Sequence, residues 1–410
     1  MSLGTQNVAD YLLEGKEQGR VALIGLDRSW TYGDIAASTE RVVRCLDAAG
    51  TTKGDRVVLA AENSLFWVAS YLGTLRAGLV CVPIPPASSV EDIAYIVEQT
   101  EAKVIFVQSR YVPKFLGHRI PVVTDSEIPG HPEVQLLQQF TNSGRAIIAP
   151  VAGGDDLACL MFTSGSTGKP RGVMVSHGNV RANTESIIEY LELISNDRIM
   201  TVLPFHYCFG TSLLHTHLRV GGSLVLDHRF MYPEKVLQRM QDTRCTGFAG
   251  VPSHYQVLLR RTSLRKMSFP GLRYVQQAGG HLAAPFVREL QDALPKTKIF
   301  VMYGQTEATA RLSYLPPEFL NTKLGSIGKG MPGVKLTVLD EAGRPVAPGQ
   351  VGEIVAEGAN IAKGYWKSAD ASREVFRDSK LYTGDNAVVD EDGFISIVGR
   401  TRDFIKCGGT

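Results

Sequence analysis

The sequence predicts an α/β protein: two layered αβ subdomains with largely parallel sheets, followed by a smaller β-rich subdomain. Three observations carry that reading. From Arg56 onward, short β-branched runs alternate with helical patterns, which is the signature of strands joined by crossover helices. The alternation resumes after a Gly/Ser-rich segment at 163–168. Beyond Lys323, Gly and Pro recur closely and the apolar runs become short and alternating, as antiparallel hairpins require.

In chain order, Arg56 to Ala60 reads as a strand, Ser64 to Ala77 as a helix, Leu79 to Pro83 as a strand, Val90 to Thr100 as a helix and Val104 to Gln108 as a strand. The stretch Gly130 to Gly154 is irregular and reads as the connection between layers. Arg171 to Ser176 alternates small, apolar and polar residues and reads as a strand. Further strands are expected at Arg198 to Leu203, Ser223 to Leu226, Thr246 to Ala249, Leu272 to Gln277 and Lys298 to Met302, separated by helical stretches. Lys335 to Leu339 and Glu353 to Ala356 are hairpin strands between the turns at Gly330–Gly333, Gly343–Pro348 and Asp392–Gly393. The expected division is an αβ subdomain over 1–150, a second over 151–325, the β-rich subdomain over 326–400 and a hinge with the start of a further domain over 401–410. Neither an internal repeat nor a low-complexity tract is present.

At 410 residues, with 44% hydrophobic and 20% charged residues, the chain is long enough for two or three packed units. Its 43 basic and 41 acidic residues leave a formal charge of +2, so no strong field is available to hold nucleic acid or an anionic membrane, and small-molecule partners are expected. Six cysteines, at 45, 81, 159, 208, 245 and 407, form no Cys-x-x-Cys pair and sit mostly in apolar stretches, which fits reduced thiols and a cytoplasmic location. The N-terminus has no signal-like apolar core. The most apolar stretch, Val68 to Pro86, is interrupted by Arg76 and ends in prolines, so no membrane span is expected.

Residues Met161 to Gly172 suggest a phosphate cradle. Gly165 and Gly168 let the backbone approach an anion, Thr163, Ser164, Ser166 and Thr167 supply hydroxyls, and Lys169 supplies a positive charge. It is not a Walker A loop, which needs four residues between its glycines and a Ser or Thr after the Lys. Here two residues separate the glycines and Pro170 follows Lys169. Proline disfavours helix in the residue before it, so a strand–loop–strand flap is expected instead of a helix N-terminus. The alternative, a plain Gly/Ser linker, fits poorly between two apolar strands.

Five segments, in order, carry a resemblance to the acyl-adenylate-forming superfamily of acyl-CoA synthetases, acid–AMP ligases, peptide-synthetase adenylation domains and luciferases. They are Thr163 to Gly172, Leu203 to Gly210, Tyr303 to Ala308 (Tyr-Gly-Gln-Thr-Glu-Ala), Tyr382 to Asp385 (Tyr-Thr-Gly-Asp) and Gly399 to Lys406. The resemblance implies two αβ sheets plus a small distorted β-barrel, and ATP-dependent activation of a carboxylic acid to acyl-AMP, with Mg²⁺. It implies that Thr163, Ser164, Gly165, Ser166, Thr167, Gly168 and Lys169 hold the β- and γ-phosphates, and that Gly279, Gly280 and His281 lie against adenine. Tyr303, in the run Tyr303–Gly304–Gln305–Thr306–Glu307, would stack on adenine, Thr306 would meet an α-phosphate oxygen and Glu307 would hold Mg²⁺. Asp385 would anchor the ribose hydroxyls, with Arg400 reaching ribose or phosphate and Ile397 packing near the base. For these residues the ordinary alternatives are a core aromatic (Tyr303), a turn cap (Asp385) and surface pairing (Arg400). His206 would close over the carboxylate pocket, a packed core histidine being its alternative. His215 and His217 lack an acidic or Cys partner at ligand spacing, so no metal pair is expected there.

Peptide-synthetase domains that select α-amino acids carry an Asp where His206 stands, so the resemblance favours a fatty, aryl or related acid. The acyl acceptor would be CoA or the phosphopantetheine arm of an acyl carrier protein. The resemblance also implies a further C-terminal domain bearing a catalytic lysine, with Arg402 at the hinge. None of the residues to Thr410 matches that lysine, so the expectation is a part of a longer ligase, slow in adenylation on its own. The competing readings are a peptide-synthetase adenylation domain, a non-catalytic nucleotide or acyl-adenylate binder, and a phosphotransferase, for which no second phosphate clamp or base is found.

Overall fold

The computed structural model of the protein describes residues 7–141, 152–163 and 169–400. Seven strands form one sheet in the order Gln135–Leu136, Val122–Thr124, Val104–Val107, Arg56–Ala60, Val80–Pro83, Leu157–Thr163, Arg171–Ser176, all neighbours parallel except the last pair. Nine strands form the second, in the order Lys329–Gly330, Ser313–Leu315, Lys298–Tyr303, Tyr274–Gln277, Gly247–Gly250, Arg198–Thr201, Ser223–Leu226, Val21–Ile24, Ser29–Thr31, parallel in its middle and antiparallel at both ends.

Period-two alternation places each strand between two cores. Val57 and Leu59 face the core shared with the second sheet, while Val58 and Ala60 face an outer core with Ile93, Ile96 and Phe115. Helices Tyr32–Ala48, Leu65–Arg76, His177–Leu191 and Cys208–Val220 contribute to the shared core, and Pro233–Asp242, Pro252–Arg261 and Ala284–Ala293 cover the other face of the second sheet. Phe66 through Leu75 are all buried, so the most apolar stretch of the sequence begins in a central helix and ends in the buried strand Val80–Pro83. Among the described residues no helix is long and apolar enough to cross a membrane.

Sheet membership crosses the expected 150/151 boundary in both directions. Val21–Ile24 runs parallel to Ser223–Leu226 in the second sheet, and Leu157–Thr163 runs parallel to Val80–Pro83 in the first. Local periodicity marks strands but not their partners, which tertiary packing selects. The strand–loop–strand flap is present as the antiparallel pair Leu157–Thr163 and Arg171–Ser176, with Thr163 opposite Arg171. The loop at 164–168 and the middle of the expected connection, 142–151, lie outside the described residues, as does Arg402.

The β-rich segment is an antiparallel sheet in the order Val334–Leu339, Val351–Gly358, Lys380–Val389, Phe376–Arg377, with Ile395–Arg400 also paired to Lys380–Val389, and it curls as an open half-barrel. Ile327, Val338, Ile354, Ala387 and Ile395 pack together as its own small core. The chain at 363–366 joins this segment to the flap: Lys363 N–H donates to Met174 O (2.8 Å), Met174 N–H to Gly364 O (2.8 Å) and Trp366 N–H to Gly172 O (2.7 Å). That extra ladder sets the site described next.

Candidate active site

Strand Lys298–Tyr303 ends in a tight turn that carries the run Gly304–Gln305–Thr306–Glu307. A Cβ on Gly304 would fall 2.1 Å from the Ala310 carbonyl oxygen and 2.7 Å from Arg311 Cα, so only glycine lets the chain fold back this closely. After the short 3₁₀ turn Thr306–Ala308, the β-branched Thr309 is held at φ +67°, a conformation that costs about 1–3 kcal/mol. Asn360 fixes it from the far side, accepting from Thr309 Oγ1 at its carbonyl (2.7 Å) and donating its side-chain amide to Arg311 O (2.8 Å).

This turn places Glu307 against the flap. Glu307 Oε1 accepts from the Tyr365 hydroxyl at 2.7 Å, and its backbone carbonyl accepts from Ala362 N–H at 2.9 Å. The Tyr365 ring lies under the Arg171 guanidinium, 5.8 Å from its centroid, and Arg171 faces Thr163 across the flap. Thr163 and Glu307 therefore share one neighbourhood, bridged by Arg171 and Tyr365. On the other side, Tyr303 donates its hydroxyl to Asp385 Oδ2 at 2.6 Å, while Arg400 Nε donates to Asp385 Oδ1 at 2.9 Å. Burial, then the Asp385 charge, pushes the Tyr303 phenol well above its ordinary pKa, so it remains a donor at neutral pH. Asp385 is 4% exposed, and each of its oxygens carries one of these protein donors. A carboxylate oxygen accepts two hydrogen bonds, so each retains capacity for one ligand hydroxyl.

Of the remaining predicted residues, Gly279 to His281 follow a strand paired with Lys298–Tyr303, and His206 precedes the helix whose first residue, Cys208, meets Thr306. Gly279 and Gly280 take φ +78° and +152° in the turn after strand Tyr274–Gln277, pinned by Gln277 Nε2 donating to Gly280 O (2.7 Å), and His281 is exposed beside them. Lys169 stands over the Tyr95 ring at 5.3 Å, and Ile397 is half-exposed on the strand that bears Arg400. His206 packs its ring 4.4 Å from that of Tyr207, and burial pulls its pKa down to about 4, so it is neutral near pH 7. His215 bonds the Tyr71 hydroxyl through Nε2 (2.8 Å) and His217 bonds that of Tyr274 (3.0 Å). Among the described residues no cluster of three His, Cys, Asp or Glu is arranged to hold a metal.

A narrow cavity of about 20 Å³, room for about one water molecule, lies behind Thr306. Its wall includes Tyr71, Asn183, Cys208, Ser212, His215 and Ala310, and Cys208 Sγ lies 3.5 Å from Thr306 Oγ1. Among the described residues, His206, Thr163 and Lys169 do not line it. A larger cleft of about 300 Å³, bordered by Arg28, Trp30, Arg41 and Asp125, contains none of the predicted residues among those described.

Two residues of the site were not singled out in the sequence. Tyr365 gave no local signal, since its partner Glu307 is 58 positions away. Arg311 did give one: an arginine between Ala310 and Leu312, directly after the Glu307 turn, in otherwise apolar company. It is 1% exposed, its guanidinium lies 4.0 Å over the Phe209 ring, and burial draws its pKa below the ordinary value without discharging it.

Feruloyl-CoA synthase from Amycolatopsis is 29% identical over 390 residues, 92% of this chain and 75% of the relative. The crystal structure of the anthranilate CoA ligase AuaEII in complex with anthranoyl-AMP superposes with a TM-score of 0.91 at 25% identity, covering 98% of this chain and 80% of that one. O-succinylbenzoate coenzyme A synthetase from Bacillus subtilis, in complex with ATP and magnesium ion, gives a TM-score of 0.86 at 25% identity over 98% of this chain and 81% of that one. Residues 14–366 match the family described as AMP-binding enzyme, and this chain is a member of that family.

Proposed function

We propose that this chain activates a carboxylic acid as its acyl-adenylate at the expense of ATP, with Mg²⁺, and that the acyl group then passes to CoA or to the phosphopantetheine arm of a carrier protein. The observation that supports it best is the continuous line Thr163–Arg171–Tyr365–Glu307, joined through Thr306 and Tyr303 to Asp385. One nucleotide laid along it would meet donors at its phosphates and a buried acceptor at its sugar.

The reaction is an in-line displacement. A carboxylate oxygen attacks the α-phosphorus, the bond from that phosphorus to the bridging oxygen of pyrophosphate breaks, and the electron pair leaves with pyrophosphate. No covalent nucleophile is needed, so the protein's work is alignment and charge compensation. Asp385 would accept from the ribose hydroxyls, and Tyr303, with the Gly279–His281 backbone, would border the adenine. Thr163, Lys169 and the loop between them would cradle the β- and γ-phosphates, and Thr306 Oγ1 would donate to an α-phosphate oxygen. Neutral His206 would donate N–H to the incoming carboxylate without adding charge.

For the metal, the donor set is a single hard carboxylate, Glu307, held in orientation by Tyr365. That suits Mg²⁺, which binds through one or two carboxylates plus substrate phosphates. Bound there, Mg²⁺ would neutralise phosphate charge. A fatty, aryl or related acid fits better than an α-amino acid, because His206 offers no carboxylate to an ammonium. A cytoplasmic location accords with the free, buried Cys45, Cys81, Cys159 and Cys245.

ATP–pyrophosphate exchange across a panel of acids tests the proposal. Exchange stimulated by at least one acid is expected. Calorimetric binding of ATP and acid with no exchange, in this chain and in one extended at its C-terminus, would point to a non-catalytic binder.

A further inference from the structure

The acid's second functional group is legible in Arg311. We infer that the acid this chain activates carries a second carboxylate, received by the Nε–Nη2 edge of Arg311. The inference rests on the acid–AMP ligase reading and deepens it.

Arg311 is fully buried, yet both Nε and Nη2 lack any hydrogen-bond partner, and among the described residues no carboxylate pairs with it. Its surroundings are the Phe209 ring, the Tyr190 hydroxyl, which hydrogen-bonds the guanidinium, and the Cys208 thiol. Tyr190 directs its own hydroxyl to Met302 Sδ (3.1 Å). A cation–π contact and one neutral hydrogen bond offset only part of the cost of burying a guanidinium that has no counter-charge. The imbalance calls for an anion. Nε and Nη2 are also the two nitrogens that present parallel N–H groups along one side of a guanidinium, the pair that grips a carboxylate in bidentate fashion.

The place is right for an acyl substituent. Cys208 lies beside Arg311 and also 3.5 Å from Thr306 Oγ1, so it stands between the adenylation end of the site and the guanidinium. Cys208 and Ala310, the residue before Arg311, both line the narrow cavity, and Asn183, on the same wall, donates to Arg311 O. A second orphan reinforces the assignment. Gln276 is completely buried with both amide atoms unpartnered. Its register neighbours Ala249 and Phe300 belong to the core between the sheets, and the Phe300 ring lies 5.9 Å from that of Tyr190, next to Arg311. Two unsatisfied polar side chains on one interior face have little purpose in a pocket for a plain hydrocarbon tail.

The test uses matched acyl-sulfamoyl adenosines of three to six acyl carbons, one series ending in carboxylate and the other in methyl, with binding read by calorimetry. For at least one length, the carboxylate-ended ligand should bind at least about 100-fold tighter than its methyl-ended match, the worth of a charge-assisted bidentate pair. R311M should erase that preference by weakening carboxylate-ended binding far more than methyl-ended binding, and R311K should keep only part of it. Equal or better binding of the methyl series at every length in the unaltered protein overturns the inference without recourse to any variant. So does an equal loss of both series in R311M, which would assign Arg311 to the reacting carboxylate or to the fold. If no adenylate binds, AMP included, the ligase reading itself falls and this one with it.

Discussion

Replacing Tyr365 with Phe removes one oxygen and leaves the ring, which keeps its edge-on contact with Phe376 (centroids 5.5 Å) and its place under Arg171. What is lost is the 2.7 Å hydrogen bond to Glu307 Oε1. Hydrogen bonds to charged groups contribute about 1.5–3 kcal/mol. Loss of an outer partner of a metal-binding carboxylate costs about 10- to 100-fold in metal affinity, which converts to about 1.4–2.7 kcal/mol. The two routes agree, so Y365F should raise the Mg²⁺ concentration giving half-maximal ATP affinity by about 10- to 100-fold. Calorimetric ATP titrations at graded Mg²⁺, alongside thermal unfolding to confirm the fold, measure it directly. An unchanged Mg²⁺ midpoint in a folded variant would refute Glu307 as the metal holder or Tyr365 as its orienter.

Three further outcomes are expected. Asp385→Asn should weaken ATP and AMP by the same factor, about 10- to 100-fold, because the ribose is common to both; a loss confined to ATP in calorimetry would move Asp385 to the phosphates. Gly304→Ala should cost about 1–3 kcal/mol of stability through overpacking against Ala310 and, by displacing Thr306 and Glu307, lower exchange activity about 100-fold; a variant with normal exchange would show that the turn can relax. His177 accepts the Val8 N–H at Nδ1 (3.0 Å), and burial draws its pKa from about 6.5 down to about 4, so the unfolded chain takes up protons first as pH falls. Its contribution is full above pH 6.5 and declines toward pH 4, by about 2 kcal/mol between pH 6.5 and 5. His177→Asn, whose oxygen accepts without titrating, should therefore flatten the fall of the thermal midpoint over that interval; parallel curves would contradict the assignment.

Much of the architecture was legible because strand and helix periods are local. Arg56–Ala60, Val90–Thr100 and Ser223–Leu226 fall where the β-branched and amphipathic patterns place them. The residues proposed to face the nucleotide were legible for another reason: they fall in short contiguous segments, and the tight turn after a strand, Tyr303 to Glu307, sets several polar side chains in adjacent positions. What the letters withheld is pairing across distance. No periodicity says that Val21–Ile24 lies beside Ser223–Leu226, or that the 363–366 segment extends the flap and brings Tyr365 to Glu307. Arg311 was overlooked because a single arginine ordinarily reaches solvent, and only its burial without a counter-charge reveals a purpose.

The early strands lodged in the later sheet bear on how the chain must be handled. Ser223–Leu226 is buried throughout and is shielded on one flank only by residues some two hundred positions upstream. Trimming the N-terminus to residue 32 would bare that flank as a flat apolar edge, an invitation to self-association. During synthesis the hairpin must likewise wait for its docking strand to emerge, so shortened versions meant for crystallisation or assay are best trimmed elsewhere.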